Sequence, residues 1–272
     1  MRFLEKLAQA IDKNRSLLCV GLDPDPGLMP PGLGVFEFNR AIIDATADLV
    51  CAYKPNIAFY EALGRDGWDT LKLTRDYIAA DIPVIVDAKR GDIGNTARAY
   101  ARGLFDYFRF DATTASPYLG LDSLEPFIAY HDRGVFILCR TSNAGAADFQ
   151  SLSCETETGV KALFEVVAGK VALWNKHGNL GLVVGATYPE ELRLIRQGYP
   201  EMPLLIPGVG TQGGELADTV RFGVDAGRCK TIINSSRQVL YASKGKDFAA
   251  AARIAAGELR GRINEILAGS PS

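Results

Sequence analysis

The sequence predicts an α/β protein of the (β/α)8 TIM-barrel class. Short apolar runs recur along the chain, separated by segments of helical periodicity or strong helix formers. The runs are continuously apolar rather than alternating, as expected of parallel strands covered on both faces. Eight of them follow one another as strand-then-helix units within 272 residues, a length typical of such a barrel.

In order along the chain, Met1 to Asn14 carries charges throughout and reads as an amphipathic helix rather than a signal peptide. The strand-like runs are Leu17–Asp23, Tyr53–Phe59, Val84–Lys89, Ala112–Ser116, Val135–Thr141, Leu180–Thr187, Leu204–Pro207 and Thr231–Ser235. Helical segments are expected over Phe36–Val50, Asp69–Ala80, Thr96–Phe108, Val160–Lys176 and Pro189–Gln197. The proline- and glycine-rich stretch Pro24–Gly34 reads as a long loop after the first strand, and Ala249–Leu267 as the closing helix. Ala268–Ser272 is expected to be a frayed, flexible tail. No linker or low-complexity segment divides the chain, so residues 1–272 are expected to form one domain. The alternative is an open doubly wound sheet. Its Gly-x-Gly-x-x-Gly fingerprint is missing after the first strand, where Gly21-Leu22-Asp23-Pro24-Asp25-Pro26 stands instead.

Composition narrows the function. A formal net charge of −2 speaks against nucleic-acid and membrane-surface binding, which need a basic patch. No apolar stretch approaches the ~18 residues of a membrane span. Five cysteines (Cys19, Cys51, Cys139, Cys154 and Cys229) are scattered without a CxxC pair, which fits reduced thiols in a cytoplasmic enzyme. His131 and His177 are the only histidines and read as surface residues. A histidine-based metal site and a Ser-His-Asp triad are therefore poorly supported, and no metal is expected.

In a barrel of this kind the functional residues stand at the C-terminal ends of the strands: here Asp23, Lys54, Asp87, Lys89, Ser142 and Asn143. The run Val86-Asp87-Ala88-Lys89-Arg90-Gly91-Asp92-Ile93-Gly94-Asn95-Thr96 is the most informative. Ile82-Pro83-Val84-Ile85-Val86 is a buried strand, and residues two apart on a strand share a face. Asp87 and Lys89 thus point into one space. Either they form a solvated strand-end ion pair, which contributes little, or they form a charged catalytic cluster. Lys54, in an apolar context, either snorkels to the barrel rim or joins that cluster from the neighbouring strand. Asp23 before Pro24 is also an ordinary turn residue. Later loops suit an anion: Pro207-Gly208-Val209-Gly210-Thr211-Gln212-Gly213-Gly214 brings backbone N–H groups close, and Asn234-Ser235-Ser236-Arg237 adds a guanidinium. Loops seven and eight are where this fold holds phosphate, so a phosphorylated substrate is expected.

Asp87-Ala88-Lys89-Arg90-Gly91-Asp92-Ile93 resembles the D-x-K-x-x-D signature of the orotidine 5′-monophosphate decarboxylases. Gly21-Leu22-Asp23, Lys54-Pro55-Asn56, Thr141-Ser142-Asn143, Pro207-Gly208-Val209-Gly210 and Ser236-Arg237 fall in the matching order, so the resemblance spans the first to the eighth strand. DAKRGDIGNTA and TSNAGA are similar to the longer bacterial branch, with Ala144 where that branch has proline. The resemblance implies a cofactor-independent decarboxylase acting on orotidine 5′-monophosphate, a homodimer with active sites at the subunit interface. It implies a charged tetrad of Lys54, Asp87, Lys89 and Asp92, with Asp92, Ile93 and Thr96 crossing from the partner. Asp23 and Lys54 would hold ribose hydroxyls, Ser142 the pyrimidine amide edge, and Gln212 and Arg237 the 5′-phosphate; Asn143, Pro207 and Gly213 complete the substrate-binding set. Lys89 would protonate C6 of the pyrimidine.

Three rivals share some of these residues. Magnesium-dependent sugar-phosphate decarboxylases and hexulose-phosphate synthases also carry D-x-K-x-x-D, but need a further acidic ligand where Lys54 stands. A Schiff-base aldolase would use Lys89 as nucleophile. A binding module that has lost catalysis would need no tetrad.

Overall fold

The computed structural model describes residues 1–209 and 215–269. Eight parallel strands form the barrel: β1 (Leu18–Leu22), β2 (Ala52–Pro55), β3 (Ile85–Arg90), β4 (Ala112–Ala115), β5 (Gly134–Arg140), β8 (Leu180–Val184), β9 (Leu204–Pro207) and β10 (Thr231–Ser235). A separate antiparallel hairpin, β6 (Ser153–Thr156) and β7 (Gly159–Ala162), lies between β5 and β8 in sequence. The barrel strands run in the order β2-β1-β10-β9-β8-β5-β4-β3. Bridges Tyr53↔Val84 and Asn56↔Asp87 join the two ends and close the ring. The helices are α1 (Phe3–Asn14), α2 (Val35–Thr46), α3 (Ile57–Glu61), α4 (Arg65–Tyr77), α5 (Gly94–Arg102), α6 (Glu125–Ile128), α7 (Leu163–Trp174), α8 (Pro189–Gly198), α9 (Leu216–Gly223), α10 (Arg237–Leu240) and α11 (Phe248–Gly269).

All eight expected strands are present, with corrections at their ends. The run expected over Tyr53–Phe59 stops at Pro55, because the Asn56 side chain accepts the Ala58 N–H and caps α3. The run expected to Thr187 stops at Val184. The helix expected over Val160–Lys176 starts only at Leu163, since Val160 to Ala162 belong to the hairpin, which pairs through local backbone bonds that apolar periodicity does not reveal. A π-helical turn, Gly103–Tyr107, continues α5. The closing helix runs on to Gly269, past the expected start of the tail, and residues 270–272 lie outside the described set.

The strand faces divide the core in two. Outward residues such as Val20, Tyr53, Val86 and Ile206 pack beneath the helices. Inward residues Cys19, Ala52, Ile85, Ala112, Phe136, Val183, Leu205 and Ile232 fill the middle of the barrel. Helix α1 closes the bottom: Phe3 and Leu7 join the interior cluster, and the Phe3 ring meets Phe136 edge-on at 5.7 Å between centroids. Gly134 is a glycine for this reason, because a Cβ there would lie 2.5 Å from the Phe3 ring. Lys6 Nζ donates to both oxygens of Asp111 at 2.9 Å, and Asp111 also accepts the Val84 N–H. With apolar side chains filling the lower layers, the polar strand-end residues are confined to the top.

The plug gives the first test. Leu7 is 0% exposed, so Leu7→Ala is expected to lower unfolding stability by about 3 kcal/mol in a denaturant titration. A loss under about 1 kcal/mol would contradict α1 as a packed closure of the barrel.

Candidate active site

Continuing the inward register upward puts Lys54, Asp87 and Lys89, Thr114, Leu138, Pro207 and Asn234 around a cavity of about 610 Å³ at the C-terminal ends of the strands. Asp23, Ser142, Asn143, Gly208, Ser235, Ser236 and Arg237 add to its wall, with Asn56, Thr141 and Gln150. Asp87 and Lys89 share one face, as their spacing requires. Lys54 is 4% exposed, which removes the snorkelling alternative.

These charges form one row. Lys54 Nζ donates to Asp87 Oδ2 at 3.3 Å, and Lys89 Nζ donates to Asp87 Oδ1 at 2.7 Å. Thr114 Oγ1 donates to Asp87 Oδ1 at 2.8 Å. Burial would raise the Asp87 carboxyl, but the Lys54 and Lys89 ammonium groups and the Thr114 hydroxyl hold it well below the usual carboxylate range. Burial would likewise pull Lys54 down, but Asp87 and Asp23 hold it above the usual lysine value. Desolvation pushes the nearby Cys19 thiol up to about 12, so it stays neutral and takes no nucleophilic part.

The backbone at the site departs from a regular strand. Val86 pairs with Thr113 and Arg90 with Ala115, so Asp87, Ala88 and Lys89 together face the single residue Thr114. Lys89 sits at φ 47°, a left-handed conformation that costs a non-glycine residue roughly 1–2 kcal/mol. Its side chain is 48% exposed into the cavity, while Lys54 lies at its floor.

The remaining wall has two parts. Asp23 Oδ1 accepts the Asn56 N–H at 3.2 Å. Gly21 lies so close to Ser236 that a Cβ would stand 1.9 Å from its hydroxyl, which ties the ends of β1 and β10 together. After β5, Gln150 clamps the Thr141-Ser142-Asn143 turn: its Oε1 accepts the Thr141 N–H and its Nε2 donates to Thr141 Oγ1, both at 2.8 Å. Ala144 opens a 3-10 turn there. Gly208 (φ 97°), Ser235, Ser236 and the exposed Arg237 make an anion-suited rim.

Not every expected residue reaches the cavity. Asp92, Ile93 and Thr96 do not line it; the Asp92 carboxylate accepts the Ile93 N–H at 2.8 Å, and Ile93 is exposed. Gln212 and Gly213 lie outside the described residues. Sequence reasoning missed Thr114, and it named Asn234 and Ser235 only as part of the run that leads to Arg237. Among the described residues, Asn234 Oδ1 and Ser235 Oγ are buried without a hydrogen-bond partner, and both residues line the cavity. The signal for Thr114 and Asn234 was the inward parity of β4 and β10. His131 and His177 are exposed, as expected, stack at 3.7 Å and do not line the cavity. Among the described residues no group of three or more His, Cys, Asp or Glu is placed to hold a metal ion, and no helix is long and apolar enough to cross a membrane.

The model of the orotidine 5′-phosphate decarboxylase / HUMPS family matches residues 16–254. The chain belongs to this family. It is an enzyme, a carboxy-lyase. It is 56% identical over 264 residues to the orotidine 5′-phosphate decarboxylase of Dehalococcoides mccartyi (strain CBDB1), covering 97% of this chain and 98% of that protein. Among solved structures it is similar to Leishmania donovani OMP decarboxylase (40% identity, TM-score 0.85, 98% of this chain and 99% of that one). It is also similar to Leishmania donovani UMP synthase (41% identity, TM-score 0.89), where it is covered in full and spans 58% of the longer chain.

The row of charges fixes a pH signature. Asp87, held low, contributes stability that is present above the ordinary carboxylate value of about 4 and is lost only as pH falls through its depressed value. Lys54, held high, contributes stability that is present below the ordinary lysine value of about 10.4 and is lost only as pH rises through its raised value. Lys54→Met is therefore expected to cost about 3 kcal/mol in denaturant unfolding, with the same loss at pH 6 and pH 9. A loss that disappears at either pH would contradict the charge assignment.

Proposed function

We propose that this chain decarboxylates orotidine 5′-monophosphate to uridine 5′-monophosphate and CO2, in cytoplasmic pyrimidine biosynthesis, without metal or organic cofactor. The observation that carries this reading is the Lys54–Asp87–Lys89 row at the floor of a cavity whose rim holds Arg237. The 56% identity to a protein of that name supports it. The magnesium-dependent reading is disfavoured by Lys54, a buried cation where a metal would need a carboxylate.

Loss of CO2 leaves an electron pair on C6, with no adjacent carbonyl to absorb it. In the proposed pose the phosphate meets Gly208, Ser236, Arg237 and Gln212, the pyrimidine amide edge meets Ser142, and ribose hydroxyls meet Asp23 and Lys54. The substrate carboxylate then lies beside Asp87, and C6 beside Lys89. As the C6–carboxylate bond breaks, the electron pair stays on C6, the Lys89 ammonium stabilises it, and one proton passes from Lys89 Nζ to C6. Lys89 is half-exposed and regains its proton from water. Enzymes lower barriers by roughly 8–23 kcal/mol, whereas one well-placed electrostatic group supplies about 3–4 kcal/mol. Lys89 therefore does not act alone. Binding energy from the remote phosphate aligns the charges and closes the site.

The same proposal includes a homodimer with shared sites. Asp92 from a second copy, with Ile93 and Thr96, would complete a tetrad of two lysines and two aspartates, whose charges sum to zero. Ile93, Tyr100, Tyr107, Tyr118 and Leu119 support this, because all are exposed apolar or aromatic residues on the segments that follow β3 and β4.

Two measurements test the reading. With EDTA present, the native chain is expected to change the absorbance of orotidine 5′-monophosphate, and Lys89→Ala is expected to lose at least ~1,000-fold in kcat while keeping its fold. No change with native protein, or activity abolished by EDTA, would refute the proposed chemistry. Mixing Lys89→Ala with Asp92→Ala chains is expected to restore activity that neither has alone, because one site of each mixed dimer is intact. No recovery would place Asp92 in its own chain's site or outside the mechanism.

A further inference from the structure

Thr114 occupies an unusual place: one buried hydroxyl serves both members of the Asp87–Lys89 pair. Its Oγ1 accepts the Lys89 backbone N–H at 2.9 Å and donates to Asp87 Oδ1 at 2.8 Å. The residue is 1% exposed, so in the native protein both bonds are made by the hydroxyl rather than by solvent. The need arises from the strand. Four steps from Val86 to Arg90 run beside two from Thr113 to Ala115, so the irregular stretch loses regular ladder pairing, and Lys89 turns left-handed. A buried backbone N–H left over at such an irregularity requires an acceptor. Thr114 is the residue opposite, and its hydroxyl supplies one.

We infer that Thr114 is a positioning residue for the reaction: its hydroxyl fixes the Lys89 backbone and the Asp87 carboxylate relative to one another, so that Lys89 Nζ is aimed at the reacting carbon. Its hydrogen bond to Asp87 fixes the plane of the carboxylate, since the oxygen it holds also takes Lys89 Nζ at 2.7 Å while the other takes Lys54. Without the hydroxyl, the Lys89 N–H loses this acceptor and the Asp87 carboxylate is held by the two mobile ammonium groups alone, so its plane is no longer fixed to β4. The Lys89 ammonium then follows Asp87 rather than the substrate. Displacements near 1 Å in a catalytic group cost on the order of 100-fold in rate. Thr114 touches no reacting atom in this scheme; it acts through Asp87 and Lys89.

The kinetic consequence rests on the decarboxylase reading, whereas the backbone consequence does not, so each is measured separately. Thr114→Val removes the hydroxyl at constant shape, Thr114→Ala removes it without added bulk, and Thr114→Ser keeps it. The hydroxyl-free variants are expected to lower kcat for orotidine 5′-monophosphate about 30-fold with KM within ~3-fold, and Thr114→Ser is expected to stay within ~3-fold of native in both. In the ligand-free protein, amide hydrogen exchange at Lys89, read by NMR, is expected to quicken at least ~10-fold in the Val or Ala variant and not in the Ser variant. If Val fails to fold, Ala is read in its place. Turnover of a hydroxyl-free variant within ~3-fold of native would overturn the positioning role, and so would a Ser variant as impaired as Val. Lys89 exchange equal to native in Val and Ala would overturn it without any substrate. A native chain inactive on this substrate would defeat the decarboxylase reading, leaving the exchange result to decide on Thr114.

Discussion

The structure is organised around one carboxylate held between two ammonium groups. Asp87 at the end of β3 is almost enclosed, and an unpaired buried carboxylate costs several kcal/mol. Lys54 and Lys89 neutralise it from two sides. Each pairing imposes a demand on the chain. Lys54 must come inward from β2, which the Asn56↔Asp87 bridge brings alongside β3. Lys89 must reach back to a residue only two positions earlier while still opening toward the cavity, which the strand achieves by bulging and taking a left-handed turn.

The rest of the barrel supports that arrangement from below and from the sides. The middle layer is apolar and α1 seals the bottom, so charged side chains are admitted only at the top. The Lys6–Asp111 pair on the underside ties α1 to the start of β4, and Asp111 also receives the backbone N–H of Val84 just before β3. The two strands that carry Asp87 and Thr114 are thus anchored at their lower ends by a single carboxylate. Opposite them, the ends of β1 and β10 are drawn together at Gly21 and Ser236, which brings Asp23 and Arg237 onto one wall.

Much of this was legible in the residues. Continuous apolar runs placed all eight strands, and the two-residue period put Asp87 and Lys89 on one face. Strand ends were harder: Asn56 capping α3 is a side-chain decision that overrides an apolar pattern running through Ile57 and Phe59. The hairpin of β6 and β7 escaped because it is short and none of its residues is buried, so it presents no apolar core face. Thr114 escaped for a different reason. A threonine within an apolar run reads as an ordinary strand residue, and only the irregular register opposite it shows why a hydroxyl is needed. For Asp92, sequence supplied the motif, but one chain alone does not bring that carboxylate to the cavity.

The central claim is that Lys89 exchanges a proton with C6 of the pyrimidine. Microscopic reversibility makes this accessible without decarboxylation: uridine 5′-monophosphate is incubated with the enzyme in D2O, and loss of the C6 hydrogen signal is followed by NMR. Exchange with the native protein and none above background with Lys89→Ala is the expected result. Exchange at the same rate in both proteins, or no exchange with the native one, would contradict Lys89 as the group that donates the proton.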